Sequence, residues 1–417
     1  MSVKGILTFP GDKSISHRAF MLAALAEGTS IIKNSAMGTD VLSTIRCLRD
    51  CGINIKNIDK NEAHVSGRLA FPDKDLFCGN SGTSARLLTG LLTGQGITAN
   101  LTGDESLIRR PMKRIIAPLT EMGARIESLD SHLPFRINGS GLRGIKYRIP
   151  VASAQVKSCL LLAGLGAEGN TELEEIAPTR DHTEIMLKEL NVNISTSADK
   201  NVIKLSGPCK KLPEFSVNIP GDPSSAAFFA AAGCTKDSEL LLKDILLNPR
   251  RLGFYRTLQR MGARLEMMEK RQRQFGELTG DIRVRPGLLR GIHLAAEEIP
   301  GIIDELPLLA VLATQAEGKT IVKGAAELRV KESDRITAIY TNLKNMGADI
   351  EEFSDGFSII GPTQLTGSKI QTYHDHRIAM AFTIAGLFCN EPVILDDQEC
   401  INISFPEFFT LMSRLVK

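Results

Sequence analysis

The stretch LQRMGARLEMM at residues 258–268 reads as a helix end, a stop and a strand start. Gly262 tolerates the left-handed backbone that terminates helices. The alternation Ala263, Leu265, Met267 after it predicts a strand. The same pattern recurs as LRDCGINIKNI at 48–58, LTEMGARIESL at 119–129 and LKNMGADIEEF at 343–353. A weaker copy, LKELNVNISTS at 187–197, has Asn191 at the stop, and Asn also tolerates left-handed φ. The stops fall at 52, 123, 191, 262 and 347, in steps of 71, 68, 71 and 85.

A second pattern, rich in Ala and Leu, interleaves with the first. It reads HRAFMLAALAEG at 17–28, TSARLLTGLLTG at 83–94, SAQVKSCLLLAGLGAEG at 153–169 and SSAAFFAAAG at 224–233. It continues as DELPLLAVLATQAEG at 304–318 and DHRIAMAFTIAG at 375–386. These helices have few polar residues on any face, so they are predicted to be buried, whereas the helices before the stops are amphipathic, as over 331–347. Six α/β units of roughly seventy residues account for the 417-residue chain.

One echo divides the six units in two. FPGDKSIS at 9–16 recurs as IPGDPSSA at 219–226, and Gly11 and Gly221 are 210 residues apart. Pro-Gly-Asp is turn chemistry. The expected domains are therefore 13–221 and 1–12 plus 222–417, which assigns the N-terminal strand to the C-terminal domain.

Composition narrows the function classes. Lys+Arg is 50 and Asp+Glu 48, a net charge of +2, which gives no broad nucleic-acid or polybasic membrane surface. Trp is absent and Tyr numbers four, which argues against a base-stacking platform. No apolar run has membrane-spanning length, and MSVKGILTFPGDKS lacks a signal-peptide apolar region. The eight Cys include no C-x-x-C, so reduced and mostly buried thiols in a cytoplasmic protein are expected.

Cations stand where the helix dipole disfavours them. Lys13 and Arg18 open one buried helix, Arg86 follows GNSGTS, and Arg110 precedes Pro111. Arg180 lies in PTRDHTE, Lys331 and Arg335 lie in RVKESDR, and Arg377 follows His374-Asp375-His376. An anion bound at each helix start makes such placement favourable, so the pattern points to a small polyanion carrying phosphate and carboxylate groups. Two carboxylates have chemical potential. Asp304 is either a base at an apolar edge or a helix cap, and Glu332 is either a proton carrier or an ion-pair partner. GDKS lacks Walker A spacing, and HDH at 374–376 has no evident third metal ligand.

At these residues the chain strongly resembles the EPSP synthase family. The ordered set is GDKSISHR, GNSGTSAR, LTGDESLIRRPM, SAQVKS, TRDHTE, GDPSSAAF, DELPLLA, RVKESDR and DHRIAM, spread over nearly the full length. The resemblance implies a two-lobed inside-out α/β barrel with three βαβαββ units per lobe. It implies joining of phosphoenolpyruvate to the 5-hydroxyl of shikimate 3-phosphate with release of phosphate, and lobes that close over these substrates. It further implies no organic cofactor, no catalytic metal, no nucleic-acid or membrane partner, and a monomer.

Carried over by motif, Lys13, Ser14, Arg18, Ser153, Gln155, Arg180, Asp304 and Lys331 would bind shikimate 3-phosphate. Lys13, Asn80, Gly82, Thr83, Arg110, Gln155, Arg335 and Arg377 would bind phosphoenolpyruvate. Asp304, Glu332 and Lys13 would be catalytic, with Asp304 as base at the 5-hydroxyl and Glu332 handling the proton on the methylene carbon.

Some positions depart from the common pattern. Ile403 stands where many relatives have Lys, Glu327 where many have Asn, Arg180 where some have Tyr and Ala154 where some have Ser. Together these resemble the family's second sequence class, often less sensitive to glyphosate. Gly82 is retained, while Leu87 replaces a Pro common in sensitive members. The related transferase acting on UDP-N-acetylglucosamine has Asn beside its N-terminal Lys and a loop Cys. Here Asp12 stands beside Lys13 and no Cys neighbours Arg110. A non-catalytic anion binder would have no reason to place Asp304 and Glu332 among its cations.

Overall fold

The computed structural model describes residues 2–58, 62–199, 201–209, 211–269 and 275–415. All five predicted stops adopt left-handed φ: Gly52 at 86°, Gly123 at 102°, Asn191 at 59°, Gly262 at 105° and Gly347 at 88°. Each ends a helix turn and is followed by a strand: Asn54–Lys56, Arg125–Ser128, Ile194–Thr196, Arg264–Glu269 and Asp349–Phe353. The stop is a local decision, because an L side chain resists that φ and Gly does not.

Each of these strands is the edge of a four-stranded sheet with one recurring order. In the sheet holding Arg264–Glu269, strand Lys4–Thr8 runs parallel to Glu239–Leu246. Thr279–Arg285 then pairs antiparallel with both Glu239–Leu246 and Arg264–Glu269. Ser216–Asn218 plays the role of Lys4–Thr8 beside Thr29–Lys33. The other three sheets repeat the scheme around Ala99–Thr102, Gly169–Glu175 and Gly318–Val322.

The sixth unit is shorter than the repeat predicts. Its strands Lys369–Ile370 and Ile394–Leu395 form only a two-stranded parallel sheet. No stop residue follows its buried helix. The chain instead enters 3-10 turns and the helix Phe408–Ser413. Phe405 and Phe408 stack with Phe229 at ring-centroid separations of 6.1 and 5.8 Å, and Phe9 reaches Phe229 at 5.3 Å. These rings pack into the hydrophobic core of the C-terminal unit.

The Ala-rich helices are enclosed, as a helix apolar on all sides must be. Every residue of Leu306–Ala313 is buried, and so is nearly all of Pro223–Ala232. Gly82–Gly94 and Ala154–Gly164 approach so closely that a Cβ on Gly90 would lie 2.1 Å from the Cys159 carbonyl oxygen, so only Gly fits there. Over 331–347 the helix starts later than expected, at Arg335, because Asp334 caps it by accepting from Thr337 N at 3.1 Å.

The chain divides into two compact units. The N-terminal unit is Gly11–Ile219 with Gln274–Glu277; the C-terminal unit is Met1–Pro10, Pro220–Arg273 and Leu278–Lys417. The repeat count did not anticipate the excursion at 274–277. Two contacts account for it: Phe275 stacks on Phe215 at 5.0 Å, and Glu277 meets buried His182 at 2.6 Å.

Candidate active site

In the N-terminal unit the site residues gather at helix starts. Asp12 caps Lys13–Ala23 by accepting from Ile15 N at 2.8 Å, Ser81 caps Gly82–Gly94 and Ser153 caps Ala154–Gly164. Each cap satisfies one orphan N–H and leaves the rest of the first turn to face an anion. Lys13, Ser14 and Arg18 lie on the first helix, Gly82, Thr83 and Arg86 on the second, and Gln155 on the third.

These helix starts are wired together. Gln155 donates from Nε2 to Thr83 Oγ1 at 3.0 Å and accepts from Arg86 through Oε1. Arg110 donates to Asn80 Oδ1 at 2.5 Å. A Cβ on Gly82 would meet Arg86 Nη1 at 3.2 Å and Arg110 Nη1 at 3.5 Å, so both guanidinium groups stand over the bare backbone of Gly82. Lys13 Nζ pairs with Asp40 Oδ2 at 2.9 Å.

Arg18 is 3% exposed. It donates to Thr183 Oγ1 at 2.8 Å, Ser158 Oγ at 2.6 Å and the Ser14 carbonyl at 2.8 Å. It thus ties its own helix to the helix Ala154–Gly164 and to the helix His182–Glu189 that follows Arg180. Arg180 itself is half-buried in the connection before that helix. His17, next to Arg18, is fully buried, and burial with the nearby Lys13 and Arg18 charges holds its pKa well below the ordinary histidine value.

In the C-terminal unit one guanidinium organises the carboxylates. Arg335, 1% exposed, donates to Asp375 through Nε at 2.8 Å and through Nη2 at 3.1 Å. Its Nη2 also reaches Glu332 Oε2 at 2.6 Å, and its Nη1 lies 3.8 Å from Asp304 Oδ1. Burial works against ionisation of both Arg335 and Asp375. Their mutual attraction outweighs it, holding the carboxyl below and the guanidinium above their ordinary values.

Asp304 lies in a short 3-10 turn, Ile303–Glu305, ahead of the helix Leu306–Ala313, and that helix has no side-chain cap. The helix-cap alternative for Asp304 therefore falls. Its carboxylate instead lies 3.5 Å from Lys331 Nζ. Arg377 sits 3.6 Å from Glu305 Oε1, with its guanidinium 5.9 Å above the Phe228 ring.

Three participants escaped the sequence reading: Asp40, Asp375 as the partner of Arg335, and Glu305 as the partner of Arg377. The only signal for Asp375 was its place in DHR; the other two are ordinary acidic residues near helix starts. The HDH side chains serve separate partners, since His374 bonds Asp397 at 2.7 Å while Asp375 holds Arg335. The described residues contain no group of three metal-ligating side chains.

The described thiols are all free, and burial pushes Cys51 and Cys159 up to about 12, too high to supply a thiolate nucleophile. A cavity of about 720 Å³ lies at the opposite, C-terminal ends of the first two helices, lined by Leu25, Arg68, Phe71 and Gln95, and none of the site residues lines it. No described helix is long and apolar enough to cross a membrane.

Both clusters fall within the match to one protein family, EPSP synthase (3-phosphoshikimate 1-carboxyvinyltransferase), which covers residues 1–412. The chain belongs to the EPSP synthase family. Relatives named 3-phosphoshikimate 1-carboxyvinyltransferase include one from Thermodesulfovibrio yellowstonii, 48% identical over 100% of this chain and 98% of the relative. Another, from Alkaliphilus metalliredigens, is 47% identical over the same shares. The solved EPSP synthase of Acinetobacter baumannii matches with a TM-score of 0.88 and 42% identity, covering 99% of this chain and 96% of that one. An enolpyruvyl transferase from Streptomyces tendae shares the fold at 17% identity and a TM-score of 0.78. The two-lobed inside-out α/β architecture of the EPSP synthase family is thus the architecture of this chain.

Proposed function

We propose residue roles for the reaction of this protein, transfer of the enolpyruvyl group of phosphoenolpyruvate to the 5-hydroxyl of shikimate 3-phosphate with release of phosphate. This is a step of aromatic amino acid biosynthesis. Protonation of the phosphoenolpyruvate methylene carbon develops positive charge at C2. The 5-hydroxyl oxygen bonds to C2 and gives up its proton. A proton then leaves the new methyl group, phosphate departs, and the enol ether remains.

Asp304 takes the hydroxyl proton, and Glu332 delivers and later removes the proton on carbon. Arg335, within ion-pair distance of both carboxylates, fixes their positions. Lys13, Asn80, Gly82, Thr83, Arg110, Gln155, Arg335 and Arg377 take phosphoenolpyruvate and stabilise the departing phosphate. Lys13, Ser14, Arg18, Ser153, Gln155, Arg180 and Lys331 take shikimate 3-phosphate, and Arg18 also donates to the Ser14 carbonyl.

The observation that carries this assignment is the Arg335 hub. A protein that only bound anions would gain nothing from Asp304 and Glu332 beside its cations. The test is phosphate release with phosphoenolpyruvate and shikimate 3-phosphate. Release only with UDP-N-acetylglucosamine as acceptor would overturn it.

The protein further reads as a cytoplasmic monomer without nucleic-acid or membrane partners, and as a member of the second, often glyphosate-tolerant class. Ile403 supports the class reading, since an apolar side chain packs against the core where many relatives have Lys. Inhibition by glyphosate as strong as in a sensitive relative assayed alongside would remove the class reading.

A further inference from the structure

Lys157 lies on the helix Ala154–Gly164, and its side chain is fully buried. Its Nζ donates to Glu175 Oε2 at 2.9 Å and to the Thr179 carbonyl at 3.5 Å, and pairs with Glu184 Oε1 at 2.7 Å. Glu175 Oε1 in turn accepts from the Thr179 hydroxyl. Glu175 is the last residue of the strand Gly169–Glu175, and Glu184 lies in the first turn of the helix His182–Glu189. One ammonium therefore grips the strand end before, the helix turn after and the middle of the connection 176–181, which carries Arg180.

An apolar packing solution would serve stability as well, because a buried ion set must first offset the loss of hydration. What the ions add is a fixed geometry, since each bond has a preferred length and direction. We propose that Lys157 is a positioning residue for shikimate 3-phosphate, holding the connection so that Arg180 meets the substrate. The inference rests on the role assigned to Arg180 above.

The test uses the full-length protein with three variants. Lys157→Met should bind shikimate 3-phosphate about tenfold more weakly in calorimetry, equivalent to ~1.4 kcal/mol. The KM for phosphoenolpyruvate and kcat at saturating shikimate 3-phosphate should move less than about threefold. Lys157→Met/Glu175→Gln/Glu184→Gln removes the stranded carboxylates. It should regain thermal stability without regaining affinity, which a purely structural role does not produce. In an Arg180→Ala background, Lys157→Met should add little further loss.

Wild-type affinity in either Lys157 variant, equal damage to both substrates, or fully additive losses with Arg180→Ala would overturn the inference. Wild-type protein that bound no shikimate 3-phosphate would overturn the substrate assignment as well. Normal wild-type binding with an unaffected Lys157→Met variant overturns this inference alone.

Discussion

Arg335 Nε donates to Asp375 Oδ2 at 2.8 Å, and Asp375 Oδ1 also accepts from the Arg377 backbone N–H at 2.9 Å. One carboxylate thus fixes the buried guanidinium and caps the helix that carries the second arginine. Asp375→Asn should cost ~1.5–3 kcal/mol, because the buried guanidinium loses its fully buried, charge-assisted partner and keeps only Glu332 and Asp304. It should also lower kcat/KM by about 100-fold or more, since both arginines lose their anchor. Denaturant unfolding and steady-state rates check this. Near-normal turnover would separate Asp375 from the site. The Asp375 pKa lies below its ordinary value, so its stabilisation is present above about pH 4 and is lost as pH falls below that.

His17 gives a second pH dependence. Its folded pKa is depressed by burial, then by Lys13 and Arg18. The unfolded chain takes up a proton near pH ~6.5, while the folded chain does so only much lower. Between those values the unfolded state binds more protons, so stability falls as pH falls, approaching ~1.4 kcal/mol per pH unit. His17→Asn should flatten this part of the curve. Parallel melting-temperature profiles for wild type and variant from pH 8 to 5 would refute it.

Gly82→Ala places a methyl group against two guanidinium groups, at 3.2 and 3.5 Å. Both are ends of flexible side chains, so the fold should tolerate it. Their displacement should raise the KM for phosphoenolpyruvate about fivefold to tenfold while leaving binding of shikimate 3-phosphate alone unchanged. A change confined to shikimate 3-phosphate would misplace Gly82.

On the roles proposed above, Lys13→Ala and Arg377→Ala should each lower kcat by about 100-fold or more, because each removes a charge proposed to stabilise the departing phosphate. Melting temperatures should shift by only a few degrees. Turnover within a few-fold of wild type would remove that residue from the site.

Gly347 has open space around it but a φ of 88°. Gly347→Ala should therefore destabilise by ~1–2 kcal/mol through backbone strain alone. Gly141 has equally open space and no left-handed φ, so Gly141→Ala should be close to neutral. Equal melting temperatures for the two variants would contradict the helix-stop reading.

The helix stops were legible because a left-handed residue is chosen by its own side chain, and five of them marked the repeat. Burial of the Ala-rich helices was legible because a helix without a polar face has nowhere else to go. The start of the helix at Arg335 was misread by four residues, since the apolar spacing begins only at Ile336 and leaves the polar run 331–335 undecided, while the Asp334 cap decides the boundary. The repeat count also missed that the sixth unit forms only a two-stranded sheet, because it counted the buried helix, which is present, and no stop follows that helix.

The sequence by itself determined the repeated α/β units, the cations at helix starts and the family. Those features depend on residues within a turn of one another or on ordered motifs. The tertiary structure alone decided which charges meet. Lys13 and Asp40 are 27 residues apart, Arg335 and Asp375 are 40 apart, and Arg18 and Thr183 are 165 apart. No local rule pairs them. They meet because helices pack with their N-terminal turns together, and a buried charge persists only where such packing supplies its partner.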